Sequence, residues 1–216
     1  MIHSTTRTAM AISRTALVCG ALLAGIGASH AQQVAKVAPA LVEQVIKGTW
    51  TAPAEGWQSR VDQDETQRVC SDMRNSPKGA AYDAILARET ATVVYPADGS
   101  VLGSWKEGEK VAQIGTGGQF TDKADGPRGG NCYACHQMAP KEASYGTLGP
   151  SLSDYGKIRK YASADAKAAY AKIYNAQAVQ PCSNMPRFGH NKFLTEQQMK
   201  DVTAYLFDPE SPVNKP

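Results

Sequence analysis

Cys132 and Cys135 stand two residues apart, and His136 follows at once. On a helical turn, positions i, i+3 and i+4 lie on one face. Two thiols and an imidazole at this spacing converge on a single object. Thiols so placed add to the two vinyl groups of one porphyrin, and the imidazole reaches its iron, so Cys-x-x-Cys-His is the attachment pattern of c-type haem. One covalently bound haem c is expected, held through Cys132 and Cys135 with His136 on the iron. The same thiols could instead form a redox dithiol, or join Cys70 and Cys182 in a four-cysteine zinc site. The adjoining histidine and the helical character of the second half favour haem.

A haem iron has a sixth position to fill. Apart from His136, the chain beyond its leader has one histidine, His190, and four methionines, Met73, Met138, Met185 and Met199. Met138 is too near the attachment turn to cross to the opposite haem face. Met199 has a packing role at the start of the last helix. Met185 lies in Cys182-Ser-Asn-Met-Pro-Arg-Phe-Gly189, a proline-containing loop suited to reach over a haem. Met185 is therefore the expected ligand, with His190 or an open position as alternatives and simple packing as the bland role of a methionine. A methionine raises the potential relative to a second histidine, and a filled sixth position favours electron transfer over substrate activation. A further partner is expected for the Nδ1–H of His136. A backbone carbonyl near Pro150 could serve, and Leu152 could cover a haem edge, although Gly146 to Leu152 could equally be a plain turn.

These groups need elements to position them. Val37 to Trp50 has mixed helical character, and Val61 to Arg74 carries a modest amphipathic pattern stopped at Pro77-Lys78-Gly79. Thr90 to Tyr95 reads as a short extended run ended by Pro96-Ala97-Asp98-Gly99. Ser104 can cap a helix over Lys106 to Ala112 that ends at Gly115, and Gly115 to Gly130 is a glycine-rich loop. In Tyr161 to Gln177, Ala166, Ala169, Tyr170, Ile173 and Tyr174 form one apolar stripe. Thr195 and Gln198 form a capping box, with Leu194 and Met199 at the staple positions. Val202, Tyr205 and Leu206 continue that face to Pro209, and the tail from Glu210 is expected to be extended.

The chain has 216 residues and a formal charge of +3. No basic face is concentrated enough for nucleic acid. The N-terminus reads as a secretory leader: Arg7 and Arg14, an apolar run from Thr15 to Ala28, then Ser29-His30-Ala31. Cleavage is expected near Ala31, before Gln32. The run is shorter than the roughly 20 residues a membrane-spanning helix needs, so the protein is not expected to span a membrane. A lipoprotein cut at Cys19 is the alternative, but Ala16-Leu17-Val18 approaches that cysteine poorly. Three segments follow: a leader over 1–31, an N-terminal extension over 32–103 and a haem domain over 104–216. Export places Cys70 and Cys182 in an oxidising compartment, where two leftover cysteines suggest one disulfide. A buried free Cys70, or an iron role for Cys182, is the alternative.

The second half resembles the class I cytochromes c, a mainly α fold: attachment helix, Gly149-Pro150-Ser-Leu152 turn, methionine loop and a C-terminal helix with Tyr205-Leu206. More narrowly, the chain resembles the SoxX family, the monohaem subunits of the SoxAX thiosulfate-oxidising complex. The segments that carry the likeness are Tyr95 to Gly99 with Trp105 to Glu109, Gly130 to His136, Gly146 to Tyr155, Tyr174 to Ala178, Pro181 to Gly189, and Leu194 to Asn214. The resemblance implies a periplasmic complex with a SoxA subunit, which joins thiosulfate to a cysteine of the SoxYZ carrier protein (an L-cysteine S-thiosulfotransferase). It implies that electrons pass through this chain to a small acceptor cytochrome, and it makes Met185 the sixth ligand. Outside the haem ligands there is no nucleophile–base pair of the kind covalent catalysis needs. Catalysis is therefore expected on the partner, with no catalytic residue here. A free-standing periplasmic shuttle cytochrome is the rival reading.

Overall fold

The computed structural model describes residues 37–51, 58–119, 122–123 and 125–215. The leader, its expected cleavage at Ala31 and Cys19 lie outside the described residues. The chain divides into two units, residues 1–52 and 53–216. In the first, helix α1 spans Pro39–Thr49. Pro39 fits its first turn because proline presets a helical φ and the missing N–H would be unpaired there anyway. An i,i+4 pair, Glu43–Lys47, runs along it.

The second unit is helical, with no strand among the described residues. Its helices are α2 (Gln58–Val61), α3 (Glu65–Asp72), α4 (Ala80–Thr90), α5 (Trp105–Gln113), α6 (Tyr155–Ile158), α7 (Ser163–Tyr174) and α8 (Glu196–Phe207). The centre of the fold is the crossing of α5 on α8. Ser104 caps α5, accepting from Glu107 N. Gly108 makes the close approach possible, since a Cβ there would stand 2.0 Å from the Asp201 carbonyl oxygen. Asp201 returns a side-chain bond to Ser104 N at 2.8 Å. At the start of α8 both bonds of the Thr195–Gln198 capping box are formed. Leu194 and Met199 are both buried beside it.

The stripe expected on α7 is the buried one: Ala166, Ala169, Tyr170 and Ile173 enter the core with Val202, Tyr205 and Leu206 of α8. Tyr170 and Tyr205 are fully buried. Burying side chains of this size stabilises the fold by about 1.5–3 kcal/mol each.

Three expectations about elements change, and one helix is added. The Val61 to Arg74 helix is trimmed to α3, because Asp64 forms a capping box with Gln67 and thereby fixes its start. Helix α4 occupies residues on which the sequence pattern is silent. The extended run at Thr90 to Tyr95 is not a strand: α4 runs to Thr90, and Thr92 and Val93 close turns onto Glu89 and Thr90. The tail is not extended either. Pro212–Asn214 forms a 3-10 turn capped by the Ser211 side chain. The Asn214 side chain bonds Gly156 N, Lys157 N and the carbonyls of Leu206 and Asp208.

Candidate haem site

Asn131, at φ 44°, turns the chain out of the glycine-rich loop into a 3-10 turn over Cys132–Ala134. Cys135 N and His136 N both bond the Cys132 carbonyl, at 3.1 and 2.9 Å. Both bonds close the segment from Cys132 to His136 into one tight turn. The turn is held from three directions. Gly146 N bonds Tyr133 O at 2.8 Å, and Gly149 N bonds Cys135 O at 2.8 Å. The hydroxyls of Tyr133 and Tyr205 bond each other, tying the turn to α8. Burial raises the Tyr205 hydroxyl pKa well above its ordinary value.

The carbonyl sought for His136 is that of Pro150 itself: Nδ1 lies 2.7 Å from it. That contact makes Nδ1 the protonated nitrogen and leaves the Nε2 lone pair for a metal. Gly149 packs flat on the imidazole, and a Cβ there would lie 2.2 Å from Cε1. The Gly-Pro pair thus orients the ring by hydrogen bond and by contact. Leu152 is half-buried against the core, and its N–H bonds Gln137 O at 2.7 Å.

Cys132 and Cys135 are both free thiols. Burial pushes the Cys132 thiol pKa up to about 12. Reactive dithiols have a depressed thiol pKa, so this environment is the reverse of what dithiol exchange needs. A four-cysteine zinc site is excluded, because Cys70 and Cys182 are bonded to each other. No group of three or more His, Cys, Asp or Glu side chains arranged to hold a bare metal ion occurs among the described residues. Two free thiols and an imidazole with one nitrogen already engaged fit covalent haem.

Met185 is half-buried and packs against the same core cluster as Cys132. Its loop is fastened on both sides. Ahead of it, Cys182 is joined to Cys70 of α3, and Cys182 N bonds Gln177 Oε1 at 3.2 Å. Behind it, Arg187 is buried and pairs with Asp64 and with Glu89 at 3.3 Å. Burial alone would raise both carboxyls. For Asp64, the Gln67 amide and the Arg187 guanidinium outweigh it and hold the pKa below the ordinary range. For Glu89, hydrogen bonds from Thr66 and Asn175 and the charge of Arg187 do the same. Neither carboxylate was evident from sequence, since a lone acidic residue in a weakly periodic segment carries no signal.

His190 is placed differently. It lines a cavity of about 780 Å³ bounded by Arg60, Asp64, Asn131, Pro186 and Lys192. Neither the three residues of the attachment motif nor Met185 line that cavity.

A helical domain built around an α5–α8 crossing, with a Cys-x-x-Cys-His turn and an oriented histidine, defines a c-type cytochrome. The cytochrome c family profile matches residues 107–208. An uncharacterized lipoprotein of Aquifex aeolicus (strain VF5) is 40% identical over 155 residues, covering 71% of this chain and 73% of that protein. Residues 107–208 are a cytochrome c family domain, which implies covalently bound haem c and a role in electron transfer. No helix among the described residues is long and apolar enough to cross a membrane.

Proposed function

We propose that this protein is the monohaem electron-transfer subunit of a periplasmic SoxAX-type complex, which couples thiosulfate oxidatively to a cysteine of a SoxYZ carrier. The bound haem supplies a one-electron store. Cys132 and Cys135 would anchor it, His136 and Met185 would ligate its iron, and Pro150 and Gly149 orient the His136 ring.

One observation carries the reading beyond a generic cytochrome. The residues ahead of the haem domain are fastened to the methionine loop by a disulfide and a buried ion pair. A shuttle needs nothing beyond the haem domain, whereas an integral N-terminal layer fits a stable partner interface. The Cys182 to Gly189 sequence and its resemblance to SoxX support the same reading. With His136 and Met185 both serving as ligands, this chain would offer thiosulfate no open position on its iron. The sulfur chemistry is therefore assigned to the SoxA partner, and a small cytochrome accepts the electrons.

The relative's description as a lipoprotein raises the corresponding possibility of acylation at Cys19 here. The poor approach to that cysteine favours cleavage near Ala31 instead, which the mass of the mature N-terminal peptide decides.

The experiment is native purification from the periplasm, followed by haem-stained denaturing electrophoresis. Co-purification of a second, larger polypeptide in fixed proportion supports the subunit reading, and thiosulfate turnover with the carrier then tests the activity. Emergence of the chain alone and monomeric makes the free-standing shuttle the better account.

A further inference from the structure

We propose that Glu89 is a positioning residue for the sixth iron ligand, holding the Met185 loop in place through Arg187. The inference rests on Met185 being that ligand.

A thioether is a neutral ligand on a flexible side chain, so its place over the iron depends on the backbone that carries it. Here that backbone has little support of its own. Over Ser183 to Pro186 no residue is in a helix, and Met185 N makes one bond within the loop, to Ser183 Oγ at 3.3 Å. Support comes from the residues at either side. Cys182 is covalently fixed to α3. On the other side, Gly189 N and His190 N both bond Tyr174 O at 3.0 Å. Arg187, two residues from Met185 and only 7% exposed, is held by its two carboxylates.

Glu89 is where these supports meet. It is 3% exposed. Its carboxylate accepts from Thr66 of α3, from Asn175 at the end of α7 at 2.8 Å, and from Arg187 of the loop. Asn175 also donates to Thr92 at 2.9 Å, and Arg88 donates to Thr66. One buried acid on α4 therefore joins α3, the end of α7 and the methionine loop.

Stability alone does not account for such a group. Desolvation offsets much of the attraction in a buried ion pair, and an apolar replacement of similar volume is often as stable or more so. What a charged pair supplies that an apolar contact does not is a defined direction and distance. That is the requirement of a loop whose one task is to present a sulfur atom.

The test uses the ferric holoprotein and imidazole, which competes with methionine for the iron. The readouts are imidazole affinity, the Fe(III)–methionine charge-transfer band and the unfolding midpoint. Glu89→Gln removes the charge and turns an amide donor toward Thr66, Asn175 or Arg187. It should tighten imidazole binding by about tenfold or more, the scale of one lost buried hydrogen bond, and weaken the band. Asp64→Asn keeps the α3 cap, since Asn and Asp cap equally well, and removes only the charge facing Arg187. It should shift affinity in the same direction, and it carries the test if Glu89→Gln does not accumulate as holoprotein. Thr195→Ala, at the α8 cap, should lower the unfolding midpoint and leave imidazole affinity unchanged. Unchanged affinity in both acid variants, or affinity that merely tracks stability across all three, overturns the inference. If wild type lacks the band and Met185→Ala leaves its spectrum unaltered, the ligand assignment itself has failed and the inference falls with it.

Discussion

The Cys70–Cys182 disulfide spans 112 residues of sequence, and that span sets the size of the effect of removing it. In the chain-entropy account, a closed loop of this length restricts the unfolded ensemble by about 4.8 kcal/mol at 25 °C. Native disulfides of small secreted domains typically cost about 2–5 kcal/mol to remove. The double variant Cys70→Ala, Cys182→Ala should therefore lose about 3–5 kcal/mol. For a protein of this size each kcal/mol is worth about 2–4 °C, so a loss near the middle of that range lowers the midpoint by about 8–16 °C. The denaturant slope should rise as well, because an unbridged unfolded chain exposes more surface. Guanidinium titration of the holoprotein followed by far-ultraviolet circular dichroism measures both quantities. Both sulfurs belong to buried residues, so a reductant should act on wild type only as it unfolds and then reproduce the variant's curve. A loss below about 1 kcal/mol with an unchanged slope would refute the reasoning, since it would mean that the unfolded chain gains no freedom from the missing bridge.

Gly149→Ala drives a methyl into the His136 imidazole, so the chain should accumulate with much less attached haem, measured as a pyridine haemochrome per protein. Gly108→Ala forces α5 away from the Asp201 carbonyl and should cost about 1–3 kcal/mol or more by overpacking, read from denaturant unfolding. The folded-state pKa values of Asp64 and Glu89 are depressed below their ordinary 3.8 and 4.5. Their stabilising contribution is therefore complete above those values and is lost as pH falls through the lower folded values. Acid titration should show an unfolding free energy that declines below about pH 4.5, with the decline reduced in a Glu89→Gln variant.

The parts of this fold that could be read from sequence are those specified by residues close together in the chain. Ser104, the Thr195–Gln198 box and the α7 stripe each lie within a turn or two of what they organise. So does the attachment turn, and the Pro150 carbonyl that engages His136 follows only 14 residues on. The disulfide was accessible by a different route, as the pairing left over once two of four cysteines were assigned. Helix α4 was not legible, because its buried residues are Ile85 and Glu89, and an acid at a core position breaks the apolar period. Its reason for being acidic lies in Arg187, far along the chain. The run at Thr90 to Tyr95 has strand-forming residues but no neighbouring strand among the described residues to pair with, so composition misled there. The closing turn at Pro212 was hidden for the same reason as α4: Asn214 bonds α6 and the end of α8, which its neighbours in sequence do not reveal.

The position of Asn214 also bears on the order in which the molecule can be made. A chain synthesised from its N-terminus delivers Cys132, Cys135 and His136 well before α8 and Asn214. Helix α5 has nothing to cross until α8 arrives, and α6 lacks the side chain that secures its first N–H groups until Asn214 does. Throughout that interval the attachment turn lacks both the Tyr205 hydroxyl that Tyr133 bonds and the α8 residues of the core.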